Sequence, residues 1–426
     1  MRIVTIVALV AGLLVIEPRV SAAFSVLAHQ AVVDGCWETS IVPAIRRRYP
    51  NVNAKDLERA RAFVHGGSHI PDLGYFPFGN RLFTDLLHYV RSGEFVAALV
   101  GSARTPEEYA FALGVLSHYL TDDTGHPDAT NPTVAEIYPK LRRKLGDSVT
   151  YAENPPAHLQ TEFRFDVLQV SRSKQSPDLF KHAIAFQVSE PLLDRAFVET
   201  YGLHLDDLFE STAVAITTYR WAFREAIHEA TGISWELYRA DIQRLDPTMT
   251  PAKFVSDLSR ADFEKEFGKT YRQPGYFAKF FALLVKLVPN AGPLERMPYK
   301  ALPPDARERF AAALDRAGRR YRTAVARLPG HHLRLANENL DIGRPTRSGE
   351  YAPADEAYAS LLLKLGEHDF AGTPPGLRAD VFRFFAAAPV ARNPDGSRAR
   401  ELRDALARLD EMPLGRIERV GGRRQR

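Results

Sequence analysis

Cysteine is nearly absent: the chain of 426 residues holds one, Cys36. A single thiol excludes any internal disulfide, so the fold must be held by its core, and by metal if metal is bound. Cys36 itself reads as a small buried apolar residue. A charge excess of one sign is also lacking. Lys and Arg outnumber Asp and Glu by only four, 56 against 52, so charge alone identifies no anionic partner, although a basic tail closes the sequence at Gly421–Arg426. Strand-like alternation is scarce, and no internal repeat or low-complexity tract stands out. An apolar run long enough to span a bilayer is missing too. The one sustained run, Ile3 to Ile16, is broken only by Thr5 and Gly12 and follows Arg2. With Ser21-Ala22-Ala23 behind it, this is the pattern of an export signal. Cleavage is expected after Ala22 or Ala23, with Ala23 preferred, so 1–23 is a signal peptide and the mature chain is periplasmic or extracellular.

What remains is helical, and the fold class expected is all-α. Thr105-Pro106-Glu107-Glu108 is a helix start with cap, first-turn proline and capping box. The helix that follows is apolar on nearly all sides and is therefore a central, buried one. Ala54 to His65 predicts a helix ended by Gly66-Gly67. Ile70 to Gly79 reads as an ordered loop. A further helix starts after Pro155-Pro156 and carries His158, Glu162 and Asp166 on one face. Helices are also expected over 303–328, 353–368, 375–388 and 397–412. Charged residues become denser and candidate ligands thinner from about Trp235, which places a soft boundary near residue 240. The expected organisation is thus 24–240 as one helical domain and 241–426 as a helical region of unknown role.

Of 13 histidines, seven precede residue 160. His118 and Asp122 are four apart, as are His158 and Glu162, and helical residues at that spacing share a face. A lone histidine on an apolar helix is normally a satisfied core residue. An imidazole and a carboxylate on the buried side of one helix cost several kcal/mol unless paired or metal-bound, and a second such pair follows. Imidazole and carboxylate without thiolate suit zinc in a catalytic setting. Gly125 and Pro127 end the first helix at His126, which can turn toward a neighbouring ion.

At these residues the chain resembles the zinc-dependent phospholipase C family, including the catalytic domain of glycosylphosphatidylinositol-specific phospholipase D. The resemblance covers roughly Phe24 to Trp235. It rests on an ordered series: Ala28-His29-Gln30-Ala31, Ile70-Pro71-Asp72-Leu73-Gly74-Tyr75, Leu87-His88-Tyr89, Ser117-His118-Tyr119-Leu120-Thr121-Asp122 with His126, and His158 with Glu162. It implies a multi-helix bundle of the phospholipase C and P1 nuclease type, with up to three zinc ions. Asp72, His88, His118 and Asp122 would hold one ion. His126, His158 and Glu162 would hold a second. His29 and Asp122, with the amino nitrogen and carbonyl of the mature first residue, Phe24, would hold the third. Asp72, as general base, and Glu162 are the expected catalytic residues. The chain departs from the bacterial enzymes in offering Phe24 or Ala23 where tryptophan is typical. Its short interval from Asp122 to His126 is similar to the phospholipase D branch.

The expected activity is hydrolysis of a phosphodiester, foremost a phospholipid head group. Any membrane contact would be transient, and no stable nucleic-acid partner is expected. An S1/P1-type single-strand nuclease is the alternative enzyme. It needs aromatic platforms, for which Tyr75, Phe76 and Phe78 are candidates. A non-catalytic, metal-containing lipid- or partner-binding protein is the third reading, with 276–287 as a candidate membrane-surface helix. His65 and His69, which flank the Pro-Asp loop, are expected to be structural or rim residues.

Overall fold

The computed structural model describes residues 26–172, 186–245, 247–254, 302–328, 333–387 and 396–412. The signal segment, Phe24, the segment 276–287 and the basic tail lie outside the described residues.

The helices that matter for the site are α1 (Val26–Cys36), α2 (Ala54–His69), α3 (Arg81–Tyr89), α4 (Pro106–Gly125), α5 (Pro155–Arg172), α6 (Thr212–Leu245), α7 (Pro304–Arg327) and α8 (Ala352–Glu367). The fold is all-α. Among the described residues the only strands are Glu338–Asn339 and Arg344–Pro345, one antiparallel pair with Glu338 opposite Pro345 and Asn339 opposite Arg344. No described helix is long and apolar enough to cross a membrane.

Helix α4 is the axis of the molecule, with every side chain from Tyr109 to Thr124 buried. Thr105 caps it, its hydroxyl oxygen accepting from the Glu108 amide at 3.2 Å. The return arm of the expected capping box lands one residue early: the Glu108 carboxylate accepts from the Arg104 amide at 2.7 Å. Helix α2 does not stop at Gly66-Gly67 but continues to His69. Those glycines are there for packing, because α2 lies directly on α4. A Cβ on Gly67 would fall 2.0 Å from the Phe111 carbonyl oxygen, and one on Gly114 would fall 2.1 Å from that of Val64. Close backbone approach, which only glycine permits, outweighs its helix-propensity cost of about 1 kcal/mol. The Pro-Asp loop likewise has more order than its composition predicts, forming a 3₁₀ turn over Ile70–Tyr75.

Residue 240 falls within α6, just past a break in helical geometry at Tyr238. One core cluster draws side chains from both sides of it, including Val33, Phe83, Phe111, Tyr321, Leu361 and Leu402. Tyr321 of α7 donates to the Leu113 carbonyl at 3.0 Å. A second cluster joins α1, α5, α6 and α7, with Phe165 stacked on Phe310 at 4.5 Å. Cys36 is buried in the first.

Candidate metal centre

The helical spacing of four sets His118 Nε2 3.0 Å from Asp122 Oδ2 on α4. Three other elements converge on the same carboxylate. His29 of α1 brings Nε2 to 3.0 Å of Oδ1. His88 of α3 brings Nε2 to 3.3 Å of Oδ2. His126 opens a π-helical turn, His126–Thr130, directly after α4 and lies 3.7 Å from Oδ1. Asp72, on the 3₁₀ turn, is 3.5 Å from His88 Nε2. On α5 the second spacing of four sets His158 Nδ1 2.8 Å from Glu162 Oε1, and Glu162 is 3.7 Å from His126 Nδ1. The structure therefore gathers all eight described candidates, none more than 2 % exposed. Three groups could each hold a cation: His29, His118 and Asp122; Asp72, His88 and His118; and His126, His158 and Glu162.

The hydrogen bonds on the outer side of the cluster fix the imidazole tautomers. His88 Nδ1 lies 2.8 Å from the Thr84 carbonyl and His118 Nδ1 lies 2.9 Å from the Ser68 carbonyl. His158 Nε2 lies 2.9 Å from Asn131 Oδ1. Each of these oxygens can only accept, so the ring nitrogen facing it carries the hydrogen. The opposite nitrogens of the neutral rings therefore turn lone pairs inward. His88 Nε2 and His118 Nε2 meet at 3.2 Å. Both oxygens of Asp122 and of Glu162, and Oδ1 of Asp72, are buried without a hydrogen-bond partner. Lone pairs facing carboxylate oxygens in a dry interior repel one another, and cations between them reverse the sign. Outer-side partners of this kind are what orient histidine ligands in metal sites. The residues present thus fit zinc.

Without a cation, the carboxylates draw protons toward the same positions. Burial would neutralise Asp122, yet the facing His118 and His29 hold its carboxyl well below the usual range. Burial, then the charges of Asp122 and Asp341, push Glu162 well above the usual range. Burial opposes protonation of His88, but Asp122 and Asp72 outweigh it and raise its pKa well above normal. Burial, reinforced by His126, drives His158 well below normal.

Three contributors carry no motif. Asn131 bridges outward from His158, and its Nδ2 donates to the Asp341 carbonyl at 2.8 Å. Asp341, far along the chain, brings Oδ1 to 3.9 Å of His126 Nε2. Asp166, one helical turn beyond Glu162, accepts from the Leu27 amide at 2.7 Å and so anchors the start of α1. Its place on the His158 face was the only hint in the sequence. His65 and His69 are core residues rather than rim: His65 Nε2 is 3.4 Å from Asp34, and the His69 ring packs 4.7 Å from Phe223. Tyr75 and Phe76 are buried, with Phe76 4.2 Å from Tyr219. Phe78 is 49 % exposed. A cavity of 770 Å³ bordered by Arg47, Arg48 and Arg91 shares no residue with the cluster.

No curated protein and no solved structure matches the chain. Residues 28–210, fewer than half of the chain, match the family model for zinc dependent phospholipase C, and this region is similar to that family.

Proposed function

We propose that the protein is an exported, zinc-dependent phosphodiesterase that cleaves phospholipid head groups in the manner of phospholipase C. The convergence of four imidazoles on the Asp122 carboxylate carries this reading. His29, Asp72, His88, His118, Asp122, His126, His158 and Glu162 would hold up to three zinc ions, with Asp122 shared between two. Phe24 would add its backbone donors once the signal segment 1–23 is removed. When bound, zinc polarises phosphoryl oxygens and acidifies water.

The chain's own groups do the rest. Asp72 Oδ1 is buried without a hydrogen-bond partner and accepts the proton of the attacking water. Glu162, buried on α5 beside His126 and His158, orients that water. Burial of the cluster excludes bulk solvent, which strengthens each electrostatic contact. Of the three aromatics near Asp72, two are spent in the core, which leaves a poor stacking platform for bases and favours a lipid over a single-stranded nucleic acid.

The test is the zinc-loaded chain on vesicles of phosphatidylcholine or phosphatidylinositol and on single-stranded DNA. Release of diacylglycerol and a phosphorylated head group is expected. Cleavage of DNA with intact lipid would make the protein a nuclease, and zinc binding without hydrolysis of either would make it a binding protein.

A further inference from the structure

Asp341 lies outside the matched region 28–210, on the tip of the short hairpin formed by Glu338–Asn339 and Arg344–Pro345. That hairpin is stitched to the cluster rather than hung beside it. The Leu340 amide donates to the His88 carbonyl at 3.1 Å. Thr346 Oγ1 donates to the Tyr89 carbonyl at 2.7 Å, and Tyr119 donates to the Ala336 carbonyl at 2.8 Å. At its tip Gly343 takes a left-handed φ of 61°, and a Cβ there would fall 3.0 Å from the Asp123 carbonyl oxygen. The Asp341 carboxylate is 3 % exposed, and its two oxygens have separate duties. Oδ2 accepts from Tyr89 at 2.8 Å and from Tyr351 at 2.5 Å. Oδ1 faces His126 Nε2 at 3.9 Å.

His126 turns Nδ1 toward Glu162, so Nε2 is the nitrogen turned away from the His126–His158–Glu162 group. Two carboxylates face that nitrogen. Asp122 is already shared by His29, His88 and His118. Asp341 has His126 as its single described histidine within ion-pair distance. A histidine that binds metal through one nitrogen is held by an acceptor at the other, and loss of that acceptor costs about 10–100-fold in metal affinity.

We infer that Asp341, clamped by Tyr89 and Tyr351, is the positioning carboxylate of the His126–His158–Glu162 cation site, which makes the C-terminal region part of the centre. This rests on the zinc reading above. The test is zinc titration against a competing chelator with the full chain, resolving the ions, alongside thermal melting of the metal-free protein. Asp341→Asn should weaken one ion about 10–100-fold, leave the others as in wild type, and melt with wild-type behaviour when metal-free. Unchanged affinity for every ion in that variant would overturn the inference while leaving the zinc centre intact. If Asp341→Asn does not fold, Tyr351→Phe decides by the same readout: one weakened ion supports the clamp, and unchanged binding overturns it. A wild-type chain that binds no zinc would remove the centre and this inference together.

Discussion

His88 and His118 face each other through Nε2 atoms 3.2 Å apart, while each Nδ1 gives its hydrogen to a backbone carbonyl. The inner nitrogens of both rings also face the Asp122 carboxylate, at 3.3 and 3.0 Å, so a shared cation there would take the place of the proton that the carboxylates otherwise draw onto His88. Chelation should therefore lower thermal stability markedly. A ligand present at about 1,000 times its dissociation constant stabilises by about 4 kcal/mol, so each ion removed should shift the melting transition by several degrees. Calorimetry with and without chelator checks this, and identical transitions would argue against bound metal.

The anchoring of α1 predicts an effect confined to one ion. Asp166 is the acceptor for the Leu27 amide, two residues before His29. Hydrogen bonds to charged groups contribute about 1.5–3 kcal/mol. Asp166→Ala should loosen the start of α1 and weaken the ion held by His29, His118 and Asp122, with the His126 site unaffected. Zinc titration resolved by ion reads this directly.

Acid stability should depend on Asp34. Burial alone would raise its pKa, but His65 and Arg61 lower it to about 2, against 3.8 for the free group. A depressed carboxylate contributes stability above its unfolded pKa and loses it as pH falls through the folded one. The shift corresponds to about 2 kcal/mol. Asp34→Asn should cost about that much at neutral pH and almost nothing at pH 2, with the difference vanishing between pH 4 and pH 2. Urea denaturation across that range measures it.

Phe78 holds a left-handed φ of 63° and is half exposed, on the chain leaving the Asp72 turn. A bulky residue in that region is strained by about 1–3 kcal/mol. Phe78→Gly should raise stability by about 1 kcal/mol and lower hydrolysis of vesicle lipid more than hydrolysis of a water-soluble phosphodiester. Equal effects on both substrates would assign Phe78 no surface role.

The sequence was most legible where chemistry and periodicity coincide. His118 with Asp122, and His158 with Glu162, follow from helical spacing alone, and the burial of α4 follows from apolar residues on all its faces. Gly66-Gly67 misled because glycine reads as a terminator, whereas here it admits the backbone of α4. Asp341 was invisible for a different reason. It lies on a two-residue-stranded hairpin with no periodicity, and its meaning comes from contacts with Tyr89 and His126 more than 200 positions away. Asn131 is similar: its amide acts as a bridge only once His158 and Asp341 are brought to either side of it.

Asp122 is the carboxylate on which the whole centre depends. Zinc content of the full chain, measured by elemental analysis for wild type and Asp122→Asn after equal loading, tests it most directly. Because Asp122 faces His29, His88, His118 and His126 at once, a single substitution should remove at least two ions, along with phosphodiesterase activity. An Asp122→Asn protein that is folded, active and loaded with as much zinc as wild type would contradict it.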